Sequence, residues 1–216
     1  MAPALSTEPE ARAWLESLPE FDRLASERIT RFVAALREEN LRQNLVSAAS
    51  LAQVWQRHVA DSVQLLRFAP RSASTPWLDI GTGAGFPGLV IAVLRPWMRV
   101  VLVESRPLRA EWLSRLVGDL GLGQTEVAAK SLAEVPSEPF AVISARAFAP
   151  LDQLLRLSAR FSTSDTVFVL PKGRSAPDEL QKLRGWQHMF HVEQSLTDPA
   201  AGIIVGNLFG RKGRVA

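Results

Sequence analysis

Asp79, Gly81, Gly83 and Gly85 stand at alternate positions in Asp79-Ile80-Gly81-Thr82-Gly83-Ala84-Gly85-Phe86-Pro87-Gly88, and this stretch carries the clearest chemistry in the chain. Glycine leaves the backbone bare and permits the left-handed conformations of a tight turn, while Pro87 suits the start of a helix, where a missing N–H costs little. Successive N–H groups converging at a helix start favour the negative part of a ligand. Two ligands compete for such a turn. Gly83-Ala84-Gly85-Phe86-Pro87-Gly88 spells the G-x-G-x-x-G signature of a dinucleotide site. The longer D-x-G-x-G-x-G pattern adds a carboxylate able to meet an ammonium, which S-adenosylmethionine has and a pyrophosphate lacks. A structural turn with no ligand is the third alternative, and it leaves the stability cost of the alternating glycines unexplained. After the apolar run Arg99-Val100-Val101-Leu102-Val103 comes Glu104, whose carboxylate can accept both hydroxyls of a ribose about 20 residues beyond a glycine turn. Both ligands own a ribose, so Glu104 supports the fold without choosing between them.

The elements that must hold these residues follow from hydrophobic period. Trp77-Leu78-Asp79-Ile80 reads as a buried strand, 87–94 as a helix, and 99–103 as a second strand. A helix over 106–120, with Leu108, Trp112, Leu113 and Leu116 inward, stops at Gly121. Further strands are expected at 125–129, 140–144 and 166–170. Strands alternating with helices imply parallel crossovers, hence an α/β, doubly wound sheet whose ligand lies outside the carboxyl ends of its strands. The last pair of strands, about 187–195 and 203–209, are close in sequence and expected to be antiparallel. His188 and His191 fall in that run on opposite faces and read as structural.

Ahead of the sheet lie three helical patterns. Ser6-Thr7-Glu8-Pro9-Glu10 is a helix-start signature before Ala11, Trp14, Leu15 and Leu18. From Phe21 to about Leu41, residues Phe21, Leu24, Ala25, Ile29, Phe32, Val33 and Leu36 stripe one face. A third helix is expected over 50–68, placing His58 and Asp61 on one face, where a carboxylate can hold an imidazole. That pair reads first as capping or packing. A polar linker, 70–76, leads into the first strand. The expectation is one domain, with 1–70 a helical extension packed on a Rossmann-like core at 76–216.

Composition narrows the chemistry. The 216 residues include no cysteine, which excludes disulfides, a thiolate zinc site and a thiol nucleophile. The histidines, His58, His188 and His191, show no metal-ligand spacing, so no metal is expected. No apolar window reaches membrane-span length and the start lacks a basic and apolar leader, so a cytoplasmic protein is expected. The 25 cationic residues are 21 Arg and 4 Lys, giving a net charge of +3. Arginine suits bidentate phosphate and base contacts, although a genome that prefers arginine codons gives the same count.

Asn44-Leu45-Val46-Ser47, His58 with Asp61-Ser62, the 79–88 stretch, Ser144-Ala145-Arg146-Ala147-Phe148 and Pro171-Lys172-Gly173 together resemble the RsmG family, also called GidB. The resemblance covers nearly the whole chain. It implies a class I S-adenosylmethionine-dependent methyltransferase fold, a mostly parallel sheet with an antiparallel C-terminal strand. The implied activity is bacterial 16S rRNA methylation at N7 of a guanine in the 530 loop. It also implies cofactor contacts at Gly81, Phe86, Arg146 and the loop after the third strand, here Ser131, Leu132 and Ala133. Relatives carry a basic residue, a small residue and a glutamate in that loop, whereas this chain has Lys130-Ser131-Leu132-Ala133-Glu134. Val46 likewise stands where relatives usually have threonine.

The residues agree with an N7 target. That nitrogen has an in-plane lone pair and no proton, so the enzyme needs alignment and no general base. A pyrimidine C5 methylase would need a cysteine. The Asn/Asp-Pro-Pro-Phe/Tyr motif of exocyclic-amine enzymes is replaced here by Ser144-Ala145-Arg146-Ala147-Phe148. Arg146 can neutralise the cofactor carboxylate or a substrate phosphate, and Phe148 can stack on the base; a surface ion pair and a plain core ring are their respective alternatives. RNA phosphates are expected at Lys172, Arg174 and the tail Arg211-Lys212-Gly213-Arg214, placed around the cleft mouth. The expected partner is 16S rRNA or the small ribosomal subunit, bound by a monomer. Two other readings stay open at this point: a methyltransferase of the same fold acting on a small molecule or protein, and a cofactor-sensing RNA-binding module.

Overall fold

The computed structural model describes residues 4–70 and 76–213, so most of the expected linker at 70–76 lies outside the described residues. In chain order it shows α1 (Glu8–Glu16), α2 (Arg23–Gln43) and α3 (Ala48–Ala52), then a π-helical turn (Trp55–Ala60), α4 (Asp61–Val63) and a 3-10 turn (Gln64–Arg67). The alternating part follows: β1 (Trp77–Ile80), α5 (Gly88–Leu94), β2 (Val100–Val103), α6 (Pro107–Asp119), β3 (Thr125–Ala128), β4 (Val142–Ala145), α7 (Leu151–Ser158), β5 (Val167–Gly173) and α8 (Ala176–Lys182). The chain closes with β6 (Trp186–His188), β7 (His191–Gln194) and β8 (Gly202–Arg211).

The strands form one sheet in the order β3-β2-β1-β4-β5-β8-β6, with β7 also paired to β8. The first five are parallel, and β8 runs antiparallel to β5. Strand order reverses beside β1, which pairs β2 on one edge and β4 on the other. The register sets Asp79 beside Ser144 and Ile80 beside Ala145. This is the doubly wound, Rossmann-like sheet with an antiparallel C-terminal strand that the sequence implies.

Alternation along each strand sends side chains into two cores. Trp77, Val100, Leu102 and Val142 pack on one face with residues of α1, α2, α5 and α6. Leu78, Ile80, Val101 and Ile143 pack on the other with α7 and α8. Every residue of α5 is buried. A helix apolar all round needs cover on both sides, and α2 supplies the outer cover through Ile29, Phe32, Val33 and Leu36. Two residues expected inward, Leu24 and Leu108, are exposed. Each is the second residue of its helix.

Helix starts follow local capping. Thr7 and Glu10 close a capping box on α1, and the Asp22 carboxylate accepts from the Ala25 N–H (2.8 Å) at α2. Asn44 ends α2 in the left-handed region at φ 49°.

The single helix expected over 50–68 is instead four short pieces. The chain leaves helical geometry at Gln53 (φ −116°, ψ 41°) and rewinds from Trp55 as a wider π turn, where the Gln56 N–H donates to Glu8 Oε1 (3.0 Å). The strand expected over 187–195 is likewise broken, into β6 and β7. At the break the Met189 carbonyl occupies the space a side chain on Gly206 would need, and the Met189 N–H donates to Asn207 O (3.0 Å).

Candidate active site

The glycine turn leaves β1 at its carboxyl end and enters α5. Gly81, Gly83 and Gly85 all adopt positive φ, at 67°, 58° and 90°. A side-chain atom on Gly83 would meet nothing nearer than Gly81 O at 3.8 Å, so the space above it is open. Gly88 is the close-approach glycine: a Cβ there would stand 2.6 Å from the Asp79 side chain.

Asp79, expected to face a ligand ammonium, has both oxygens engaged inside the protein. Ser144 Oγ donates to Asp79 Oδ1 (2.6 Å), the Gly88 N–H donates to Oδ2 (2.9 Å), and Trp77 Nε1 donates to Ser144 Oγ (2.8 Å). The side chain is wholly buried. Burial pushes its pKa above the ordinary carboxylate value, with the bonds from Ser144 and Gly88 and the Arg146 charge opposing that rise. Asp79 therefore ties the glycine turn to β4 and caps an α5 N–H that has no side-chain cap of its own.

Glu104 lies across the turn. Its Oε2 accepts from the Gly83 N–H (3.1 Å) and its Oε1 from the Arg106 N–H (2.8 Å). It lines a small cavity of about 170 Å³ with Gly81, Gly83, Lys130 and Leu132. A carboxylate has further lone pairs for hydroxyl donors. In the loop after β3, Leu132 lines this cavity, whereas Ala133 is exposed and does not reach it. Ser131 is held in a capping box by Glu134, which accepts from both the Ser131 N–H (2.9 Å) and its hydroxyl (2.6 Å). The acid of this loop is thus turned back on the loop itself.

A larger cavity, about 550 Å³, opens at the carboxyl ends of β4 and β5. Arg146, at the end of β4, reaches into it. Its Nη1 lies 3.5 Å from Asp61 Oδ2 and donates to Arg57 O (3.3 Å), and its guanidinium carbon stands 5.1 Å from the centre of the Phe86 ring. Burial pulls its pKa below the ordinary value, against the attraction of Asp61 and Asp79. Ala147 then takes φ 51°, which turns Phe148 back over Gly81; a Cβ on Gly81 would lie 2.5 Å from the Phe148 ring. Phe148 is 38 % exposed and lines both cavities, forming the partition between them.

The Phe86 side chain, expected at the cofactor, faces neither cavity. It is buried between Phe32 (centroids 5.1 Å apart) and His58 (4.8 Å, planes 18° apart). Only its backbone belongs to the turn. His58 and Asp61 do not hold each other either. Asp61 accepts from Thr197 Oγ1 (2.7 Å) and Gln64 Nε2 (2.8 Å), while neither nitrogen of buried His58 has a partner. Burial, then Arg146 and Arg57, push the His58 pKa down to about 3, so the ring is neutral. His188, in contrast, accepts from the Phe190 N–H (3.1 Å) and stacks on that ring, as a structural residue does.

The expected phosphate contacts separate. Arg174 is exposed beside the larger cavity. Lys172 is not a free cation: its ammonium lies 2.9 Å from Glu179 and donates to Ala149 O, bracing the loop that carries Phe148. Arg211 and Lys212 are not at the cleft mouth. Because β8 is antiparallel, its first residue pairs Gly173 at the carboxyl end of β5, and its tenth lies past Val167 at the opposite end. At about 3.4 Å per residue that is roughly 30 Å away. Arg211 there packs over Trp186 (4.9 Å). Arg214 lies outside the described residues. Sequence reading missed Gln64, Thr197 and Glu179, which fix Asp61 and Lys172. The Asp61–Thr197 contact joins residues 136 apart, and no local pattern signals it.

A family model for rRNA small subunit methyltransferase G matches residues 25–199, most of the chain. The chain belongs to that family. A protein of Novosphingobium aromaticivorans named ribosomal RNA small subunit methyltransferase G is 54 % identical over 210 residues, covering 96 % of this chain and 91 % of its own. One of the same name in Erythrobacter litoralis is 55 % identical over 203 residues, covering 94 % and 97 %. Among solved structures, cofactor-bound Rv0187 from MTB aligns with TM-score 0.65 at 18 % identity, over 98 % of this chain and 100 % of that one. The fibrillarin/Nop5p complex aligns with TM-score 0.56 at 14 % identity, over 71 % and 82 %. These two likenesses speak for the fold. As a member of its family the chain is an rRNA methyltransferase with S-adenosylmethionine as cofactor. The residues fit that cofactor: bare backbone at Gly83 under open space, Gly81 beside it beneath the Phe148 ring, and a carboxylate at Glu104 suited to a ribose. Among the described residues no helix is long and apolar enough to cross a membrane, and no cluster of His, Asp or Glu could hold a metal ion.

Proposed function

We propose that this chain methylates N7 of a guanine in the 530 loop of 16S rRNA, acting as a cytoplasmic monomer on the small ribosomal subunit. The observation that carries the reading is the pair of cavities meeting at Phe148, at the point where strand order reverses. Ligands of such sheets bind at that point.

When bound, the cofactor supplies an electrophilic methyl group on its sulfonium. The chain's own residues divide the rest. Gly81, Gly83 and Glu104 would hold the nucleoside half, with the Leu132 side chain flanking it. Asp79 and Gly85 keep the turn in shape. Phe148 offers a face for the base, and Arg146 offers its guanidinium to a carboxylate or phosphate. No residue has to remove a proton from N7. In keeping with that, the acids of the larger cavity are committed elsewhere, Asp61 to Arg146, Glu179 to Lys172 and Asp198 to Arg57. Arg174 at the mouth suits an RNA phosphate, which positions without specifying.

The test is to map N7-methylguanine in 16S rRNA from a strain lacking the gene. The expected result is loss of one modification in the 530 loop, restored by the wild-type gene. An unchanged map would overturn the reading.

A further inference from the structure

Buried polar groups in folded proteins almost always have a hydrogen-bond partner, so each that does not calls for an explanation. His58 leaves both ring nitrogens without one. The ring is 7 % exposed, yet it forms part of the wall of the 550 Å³ cavity. It is held rigidly there, stacked on Phe86 on a π-helical turn, a kind of winding often found at functional sites. Arg57, Asp61 and Arg146 line the cavity beside it, but each has another partner: Arg57 an ion pair with Asp198 (3.5 Å), Asp61 and Arg146 each other. Among these four, His58 alone has a side chain with neither a hydrogen bond nor an ion pair; both its nitrogens are covered from water, so a base reaches them as the wall gives locally. His58 is also on the β4–β5 side of Phe148, away from the Gly81 and Glu104 cavity.

From this geometry we infer that His58 reads the target base, its ring N–H donating a hydrogen bond to guanine O6. The inference rests on the proposed guanine-N7 activity. Guanine presents N7 and O6 as neighbouring acceptors, whereas adenine presents N7 and an N6 donor. An enzyme that places N7 for methyl transfer therefore separates the two bases with a donor directed at O6. A neutral imidazole keeps one N–H for this purpose. The low pKa of His58 keeps the ring in that form at every physiological pH. Arg146 is a poorer candidate, because its Nη1 already donates to Arg57 O and faces Asp61, and its remaining donors are the ones offered to a carboxylate or phosphate.

The test pairs a protein change with a substrate change. His58→Phe keeps a flat ring on Phe86 and removes both nitrogens. Small subunits are reconstituted with either guanine or 2-aminopurine, which has N7 but no O6, at the target position. With guanine, His58→Phe should lower kcat/KM about tenfold or more, the scale of a lost base contact. Its affinity for S-adenosylhomocysteine, read by calorimetry, should stay within about twofold of wild type. Wild type should lose a similar factor on 2-aminopurine, and His58→Phe should lose little further, as a coupled pair does. His58→Gln or His58→Asn, which return an amide donor, should recover part of the rate on guanine alone.

Wild-type rates for His58→Phe, equal sensitivity of both enzymes to loss of O6, or a parallel loss of cofactor affinity would each overturn the assignment. If His58→Phe fails to fold, the wild-type comparison decides: equal rates on guanine and 2-aminopurine overturn it. Failure of the wild-type enzyme to methylate guanine N7 would instead refute the proposed function.

Discussion

Replacing Arg146 by alanine separates a structural role from a functional one, because a stability loss of about 2 kcal/mol leaves most of the protein folded, whereas a similar energy lost from binding is read directly as affinity. The Arg146–Asp61 pair is long, at 3.5 Å, and its side chains are 22 % and 20 % exposed. Asp61 keeps its bonds from Thr197 and Gln64 after the guanidinium is gone, so no buried charge is stranded. Loss of such a pair costs about 1 kcal/mol, and loss of the Phe86 cation contact adds about 1 kcal/mol. The fold should therefore survive with a modest drop in Tm. A charged hydrogen bond to the cofactor carboxylate or to a phosphate contributes about 1.5–3 kcal/mol, which is roughly 10- to 150-fold in affinity. If Arg146 holds the carboxylate, calorimetry with S-adenosylhomocysteine should weaken by that factor. If it holds RNA, cofactor affinity should persist while binding to small subunits weakens and its salt dependence flattens. Arg146→Lys should fare little better than alanine, since a point charge does not replace the fork. Wild-type values in both assays, for both variants, would refute the functional role.

Other substitutions follow from the same geometry. Phe148→Ala removes the partition between the cavities, so cofactor affinity should hold or rise while methyl transfer falls about 10- to 100-fold from lost base stacking, read by single-turnover assay. Gly83→Val has room for its side chain but must adopt φ 58°, so thermal unfolding should show a loss of about 1–2 kcal/mol alongside loss of cofactor binding. Asp79 has a raised folded-state pKa, so its contribution to stability is greatest below its unfolded pKa and declines as pH rises through the folded one. Asp79→Asn should lack that decline, so the stability difference between variant and wild type should shrink as pH rises, while one donor at Gly88 or Ser144 is left unpaired at about 1–3 kcal/mol; a difference flat across pH 3–8 would contradict the raised pKa. Lys172→Met strands Glu179 and frees the Ala149 carbonyl, so methylation should fall with little change in the salt dependence of RNA binding; a flatter slope would mark Lys172 as a phosphate contact after all.

The sheet was legible because its information is local. Apolar runs ending at Asp79, Glu104 and Ser144, glycines at alternate positions, and helical periods between them state a doubly wound fold within windows of a few residues. The helical span over 50–68 was legible but its interruption at Gln53 and its changes of winding were not, since partners such as Glu8, 48 residues from Gln56, are long-range. The same distinction governs the site. Gly81, Gly83 and Glu104 lie where the motif puts them, since their geometry is fixed by one turn and one strand end. The direction of the Phe86 side chain was not legible because a motif states which residues recur and not which way each side chain turns, and this ring packs inward on Phe32 of α2. Arg211 and Lys212 were misplaced because their position depends on the direction of β8, a long-range choice, and the composition of the tail does not record it.

The N-terminal helices do more than cover the sheet. Because α5 is apolar on every side, α2 must pack against it, and Phe32 thereby fixes Phe86. Phe86 in turn supports His58 on one side and the Arg146 guanidinium on another. The residues facing the larger cavity are thus seated on a ring that belongs to the glycine turn, so a change in that turn is felt on both sides of Phe148. Trimming Phe32 to alanine should test this linkage. A buried Phe→Ala costs about 3–5 kcal/mol, and methyl transfer should fall well beyond the fraction unfolded, because Phe86 and its two dependants lose their seat. Cofactor affinity should fall less, since the Gly83 and Glu104 contact is held by backbone geometry and by β2. Activity declining only in step with the folded fraction would show that the stack is packing alone.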